Sequence, residues 1–426
     1  MKSIASILLL ALPLALGYQA QAVEFKPVDN AFVQQSAAFG VTQDNWDHGA
    51  HAAATFPNAY RFTPHMEISL PVDVKPREWP KRPQALLQLT AADLDGEHSL
   101  EVLLRDRLKN HSMVVLNKGV LVHQHFWNGY GAEQTHLQMS VTKSFTSLLA
   151  SIAVAQGKLD MDRAIIHYLP ELKGTGFEDA TVQELADMRS GIGVKFSEGK
   201  LWDDRMTEAQ DWNGDSKYPD MRGVMDYAKT LDNHRPIGKV YDYLDVNTEL
   251  LGKVVEKVQG QPLSELLESQ IWSKIGAQQP ARWMSNRNAE VVASGGLNMT
   301  TRDLAKVGEI IANKGVNQQG ERVIPAEFID ALFQGDDKVR FAWQQGKESA
   351  LATGWYKDQF RVLDIKGHKF IAMVGIHGQI LVIEPKSQTV IAMNSGFGDM
   401  EPPRMAILIF QQIIPAILDK LALDKV

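Results

Sequence analysis

Residues 136–158, HLQMSVTKSFTSLLASIAVAQGK, decide how this chain is read. Ser140-Val-Thr-Lys143 stands in front of an apolar run in which Phe145, Leu148, Leu149 and Ile152 recur at helical spacing, and Gly157 suits a C-cap. Ser140 therefore opens a mostly apolar, buried helix. Two readings compete there: a capping serine with a solvated lysine, or a nucleophile with the group that takes its proton. A chain of this length holds about one Ser-x-x-Lys by chance, so context must decide. A second one, Ser197 to Lys200 in KFSEGKLW, contains Gly199, lies among polar residues without helical periodicity, and reads as a loop.

The chemistry that would use Ser140 is specific. A serine hydroxyl is a poor nucleophile at neutral pH and needs a neighbouring base. On a helix, residues i and i+3 share a face, so Lys143 can reach Ser140. Lysine serves as a base only when partly neutral, and burial in an apolar helix is expected to push its pKa down. The helix N-terminus adds backbone N–H groups that can hold an oxyanion.

At 426 residues, 44% hydrophobic and 22% charged, the chain can bury a large core and form two lobes. Its net charge of −7, with no basic run, argues against nucleic-acid binding. There is no cysteine, which excludes disulfides, thiolate catalysis and thiolate metal sites. Residues 1–22 read as a signal peptide. Lys2 precedes the short apolar run ILLLALPLALG (7–17), and AQA (20–22) sets a cut between Ala22 and Val23. No cysteine follows that would accept a lipid. The mature protein is expected in a periplasm or outside the cell, with no stable membrane insertion. The apolar segment 404–423 is interrupted by Gln411, Gln412 and Pro415 and is not expected to span a membrane.

Residues 23–95, with the proline-rich PVDVKPREWPKRP (71–83), are expected to wrap the body as an N-terminal extension. Residues 96–110 read as a helix. SMVVLN and VLVHQHFW form a hairpin around Asn117-Lys118-Gly119, and HKFIAMVGI and QILVIEP form another around His377-Gly378, with TVIAMNS (389–395) as the next strand. Residues 160–285 read as a mainly helical lobe. The expected fold is α+β: residues 96–159 and 286–426 form an antiparallel sheet flanked by helices, and the helical lobe packs beside them. The cleft between lobes is the natural place for a site.

Four further segments carry a resemblance. YLDVNTELLG (243–252) is similar to a Tyr-x-Asn segment in which the tyrosine precedes a Leu-x-Gly glycine by nine residues, which selects Tyr243 over Tyr241. ASGGLNMTTRDLAK (293–306) is similar to a Gly-Gly-Leu-x-x-Thr-x-x-Asp-Leu helix entry. VGIHGQILVIEP (374–385) occupies the place of a Lys-Thr-Gly strand, and TVQELADMRSGI (181–192) resembles a Leu-Leu-x-x-x-Ser-Gly-Ile segment. In series over roughly residues 96–400, they resemble the serine β-lactamase and penicillin-binding-protein fold, in its class-C-like branch of esterases, DD-peptidases and amide hydrolases. LADMRSGIGVKFSE and GIHGQ look most like the 6-aminohexanoate-dimer hydrolase type, with its carboxylesterase-like fold.

The resemblance implies a serine hydrolase that forms an acyl-enzyme on Ser140. Lys143 would deprotonate it, directly or with Tyr243, and Tyr243 would shuttle the proton to the leaving group. The backbone N–H groups of Ser140 and Ile376 would hold the oxyanion. Asp245, His377 and Gly375 are candidate substrate contacts. The chain departs from the pattern in two places. No Lys-Thr-Gly or Lys-Ser-Gly triplet occurs in the C-terminal third, which weakens the β-lactamase reading. Asp245 stands where asparagine is usual; a carboxylate only accepts hydrogen bonds, and if close it would raise the Lys143 pKa. It is expected either to face a cationic part of the substrate or to turn away.

The favoured substrate is a small ester or linear amide. A DD-peptidase or β-lactamase acting on cell-wall peptides or β-lactams is an alternative enzyme reading. A non-catalytic peptidoglycan-binding module on the same scaffold is the alternative outside enzymology. No cofactor is implied. His48-x-x-His51 and His123-x-His125 lack the carboxylates that would complete a metal site. Gly295 and Gly296 are read as packing glycines, and Trp202, Trp212, Trp283 and Trp355 either line a pocket or fill core.

Overall fold

The computed structural model describes residues 23–70, 78–198, 200, 202–214, 217–398 and 403–423. Residues 1–22, the expected signal peptide, and residues 71–77 of the proline-rich connector lie outside the described residues.

The body is built on a seven-stranded antiparallel sheet. Its strands are β1 (Asn110–Asn117), β2 (Val120–Phe126), β3 (Thr353–Lys357), β4 (Phe360–Ile365), β5 (His368–Gly375), β6 (Gln379–Glu384) and β7 (Thr389–Ser395), in the spatial order β3-β4-β5-β6-β7-β1-β2. β7 pairs with β1, so two chain-distant hairpin systems join in one sheet. Alternate residues feed two separate cores. Val114 and Leu116 of β1 face one cluster, and Met113 and Val115 face the other. With both faces covered, the strands carry consecutive apolar runs, MVVL in β1, FIAMV in β5 and ILVI in β6, rather than alternating. β1 and β2 are joined by Lys118 and Gly119 at φ 50° and 75°, the paired left-handed residues of a tight hairpin.

Helices α1 (Val141–Ala155), α2 (Asp245–Gln259) and α3 (Thr301–Ala312) build up the first face: α1 and α3 lie on the sheet, and α2 packs on α1. Phe145, Leu148 and Leu149 of α1, with Leu250, Leu251 and Val254 of α2, bury in the same cluster as Val114, Ile371 and Leu381. A Cβ on Gly252 of α2 would lie 2.9 Å from the Leu263 side chain and 3.1 Å from Ala293. Only glycine lets α2 sit this close to the 293 segment. The opposite face is covered by the C-terminal segment, which ends in α4 (Ile414–Leu423). Residues Arg404–Leu423 are long and apolar enough to cross a membrane. Here Leu408, Ile413, Ile417 and Leu418 bury against Val115, Phe370 and Ile391 instead.

A second sheet orders Glu24–Lys26, His65–Ile68, Ala281–Met284, Leu297–Met299 and His136–Leu137. The N-terminal segment thus supplies strands to the body. One expectation needs correcting: residues 96–110 are not one helix. Gly96–Ser99 is a strand paired with Thr90–Asp93, and the helix begins at Leu100, capped by Ser99, before a π-helical turn over Leu103–Arg107. The register of that hairpin takes the residues that a helical pattern alone would have included.

Candidate active site

His136–Leu137 pairs with Leu297–Met299, and the chain then turns into α1 through Met139, held in the left-handed region at φ 45°. A non-glycine residue there costs on the order of 1 kcal/mol or more, and such strain clusters at functional sites. Ser140 occupies the cap position of α1, yet its side chain makes no capping hydrogen bond. Its Oγ instead accepts from Lys143 Nζ at 2.8 Å. The capping reading of Ser140 is thereby set aside. Ser197 and Lys200 follow the loop reading: Ser197 Oγ accepts from the Asp204 amide, and Lys200 pairs with the Asp204 carboxylate at 2.6 Å.

Lys143 is 1% exposed and surrounded by acceptors. Besides Ser140 Oγ it donates to the Ser294 carbonyl at 2.8 Å and pairs with Asp245 Oδ1 at 2.7 Å. Three acceptors match the three donors of an ammonium. Burial is the largest single influence on this amine and pushes its pKa down. The Asp245 carboxylate paired with it, together with Tyr243 beside it, outweighs burial and holds it above the usual lysine value. The expected depression of the Lys143 pKa is therefore corrected: the residue rests as a cation.

Asp245 is the first residue of α2, where a carboxylate complements the helix N-terminus. It does not turn away; it faces Lys143, and its side chain remains 49% exposed to the cavity. Tyr243 lies two residues earlier. Its ring takes Lys143 Nζ at 5.0 Å from the centroid and the Arg361 guanidinium at 4.9 Å. Arg361, from β4, is tied to Glu348 by two 2.7 Å hydrogen bonds, and Tyr241 donates to the same carboxylate.

β5 runs straight into this arrangement. A Cβ on Gly375 would lie 2.6 Å from the Gln138 carbonyl. The end of the strand therefore abuts the backbone just before Ser140. Among the described residues, neither the Ser140 amide nor the Ile376 amide donates to a protein acceptor. That leaves both available to a substrate oxygen.

One cavity of about 310 Å³ collects Ser140, Lys143, Tyr243, Asp245, Ile376 and His377. Gly375 stands behind its wall rather than in it, because its role is to let the backbones meet. His377 is buried and its ring bonds the Phe397 carbonyl at 2.9 Å. Trp202 and Trp212 line the cavity, whereas Trp283 and Trp355 are buried elsewhere, bonded to the Val292 and Leu332 carbonyls. Gly295 also lines the cavity, and Gly296 packs tightly, its Cβ position 3.0 Å from the Met284 carbonyl. The N-terminal segment contributes Asp47, which accepts from Trp212 Nε1 at 2.8 Å. Asp47, Glu348 and Arg361 carry no signal in the sequence, since each reaches the site only through tertiary packing. No group of three or more His, Asp or Glu placed to hold a metal occurs among the described residues.

The model of the family described as Beta-lactamase matches residues 101–412, well over half of the chain. The chain belongs to the β-lactamase family. Its relatives include a 6-aminohexanoate-dimer hydrolase of Paenarthrobacter ureafaciens, 26% identical over 371 residues that cover 85% of this chain and 90% of the relative. A β-lactamase of Providencia stuartii is 26% identical over 222 residues, 52% of each chain. Among solved structures, a proposed 6-aminohexanoate-dimer hydrolase from Bacillus anthracis superposes with a TM-score of 0.81 at 22% identity, covering 93% of this chain and 98% of its own. Membership makes the protein a serine hydrolase of β-lactamase-like fold.

Proposed function

We propose that the protein is an exported hydrolase of a small ester or linear amide, acting through an acyl-enzyme on Ser140. The observation that carries this reading is the 2.8 Å contact of a caged Lys143 ammonium with an uncapped Ser140 hydroxyl in the cavity that also holds Tyr243. A lysine already carrying its proton cannot accept another, so the base falls to Tyr243, acting as a phenolate beside the Lys143 ammonium. Its oxygen takes the Ser140 proton as Oγ adds to the substrate carbonyl. The tetrahedral oxyanion is held by the N–H groups of Ser140 and Ile376. Collapse breaks the bond to the leaving group, which departs with the proton that Tyr243 returns. Water then repeats the sequence on the ester of Ser140 and regenerates the hydroxyl. Lys143 stabilises negative charge on Oγ and beside Tyr243 throughout.

The lining, which sets Phe196, Trp202 and Trp212 beside the carboxylates Asp47, Asp203 and Asp245, and the missing Lys-Thr-Gly favour a neutral or amino-bearing acyl compound over a carboxylate-bearing β-lactam. The relatives named for 6-aminohexanoate-dimer hydrolysis support the amide side of this class. A panel of p-nitrophenyl esters, linear amides and nitrocefin tests it. Ester or linear-amide turnover well above nitrocefin turnover is expected, and Tyr243→Phe should lower kcat about 10²- to 10⁴-fold. Nitrocefin turnover matching the esters would move the protein to the β-lactam class, and an active Tyr243→Phe enzyme would remove the tyrosine from its role.

A further inference from the structure

Helix α2 sends a second carboxylate toward the site. Glu249 lies one turn beyond Asp245 and is fully buried behind the cavity wall. It accepts four hydrogen bonds: Ala293 N at 3.1 Å, Ser294 N at 3.0 Å, Ser294 Oγ at 2.6 Å and Gln210 Nε2 at 2.8 Å. Every partner is a donor, and no cation pairs with it among the described residues. The segment it grips is the one whose Ser294 carbonyl holds Lys143 Nζ at 2.8 Å. The same segment is tied to α1 at two more points, where Thr146 Oγ1 donates to the Ala293 carbonyl and the Leu297 amide donates to Thr142 Oγ1.

We infer that Glu249 is a positioning residue for Lys143, fixing the Ser294 carbonyl so that the ammonium points at Ser140. Asp245 holds the ammonium directly and Glu249 holds it through one peptide. The inference rests on the acyl-enzyme reading above. The chemistry requires a carboxylate, not merely a polar group of that size. One oxygen, Oε1, takes three donors and Oε2 takes the fourth. A glutamine must turn its NH₂ toward at least one N–H, leaving a buried donor unsatisfied and displacing the turn. Misplacing an activating group by a fraction of an ångström to an ångström lowers the rate without changing what the cavity binds.

The test is the rate of covalent labelling by a fluorophosphonate, followed by intact mass, together with kcat and KM on an ester. Glu249→Gln is expected to slow labelling about ten- to hundredfold, to reach one label per chain, and to lower kcat with little change in KM. Ser294→Ala, which removes one of the four donors, should do the same to a smaller degree and keeps the test open if Glu249→Gln folds poorly. Glu265→Gln, on an exposed helix face, should behave as the parent. Parent-like labelling rates in Glu249→Gln and Ser294→Ala would overturn the inference. So would a loss of labelling stoichiometry in step with a lower Tm at an unchanged rate, since that marks a purely structural role. A parent protein that takes no label would sink the acyl-enzyme reading and this inference with it; a labelled parent with unaffected variants sinks only the inference.

Discussion

At the scale of the residue, the centre is one lysine held charged. Burial alone would push the Lys143 pKa down, and Asp245 reverses the direction. Because its folded pKa lies above the 10.5 of an ordinary lysine, the stability it contributes is fully present below that value and is lost as pH rises through the folded pKa. Asp245→Asn removes the opposing charge and lets burial dominate. The alkaline limb of the kcat/KM profile should then move to lower pH, with a fall in turnover at pH 9 larger than at pH 7. An unmoved limb would show that Asp245 does not govern the charge on Lys143. That Ser140, Lys143 and Tyr243 meet was legible from motif and spacing. The sign of the lysine shift was not, because it depends on whether Asp245 turns inward, and a sequence carries no rotamer. Glu249 was within reach: it sits four residues after Asp245 on an amphipathic helix, among residues that otherwise bury.

At the scale of the element, the site is where two helices and one strand end. The nine-residue interval from Tyr243 to Gly252 has a physical meaning: the glycine lets α2 approach the 293 segment, and two residues before α2 begins the chain delivers Tyr243 to Lys143. Gly375 performs the matching service for β5. Gly375→Ala would place a methyl group against the Gln138 carbonyl, so the strand end must retreat and carry the Ile376 amide from its place. Loss of an oxyanion donor costs about 10²- to 10³-fold in kcat. That loss is expected here at nearly unchanged KM, and full activity in Gly375→Ala would exclude Ile376 from the oxyanion role. The hairpins around Lys118-Gly119 and His377-Gly378 were legible because turn chemistry and β-branched runs agree. Residues 96–110 were not, because Glu97 to Ser99 also fit a helical face, and only pairing with Thr90–Asp93 decides them.

At the scale of the whole molecule, the segment before residue 95 was the least legible part. It has little periodicity because its side chains fill gaps rather than one repeating face. Trp46 stacks on Phe62 at 5.7 Å and donates to the Trp212 carbonyl at 3.0 Å, and its neighbour Asp47 completes the cavity wall. Buried histidines, His65 in this segment and His111 and His136 in the body, also set an acid limit on the fold. Burial lowers the pKa of His65 and of His111 to about 4, and His136, bonded to His111 at 2.9 Å, is depressed too. These rings stay neutral in the fold while the unfolded chain takes up protons near 6.5. The stability they contribute is present above pH 6.5 and is lost as pH falls toward 4. Urea midpoints should drop steadily across that window, and a flat profile would contradict the buried neutral histidines. The central claim, that catalysis passes through an acyl group on Ser140, is most directly tested by intact mass during turnover of a slow ester. The parent chain should gain the mass of one acyl group, mapped to the peptide containing Ser140, and Ser140→Ala should gain none and lose turnover. An adduct elsewhere, or turnover surviving in Ser140→Ala, would contradict the account.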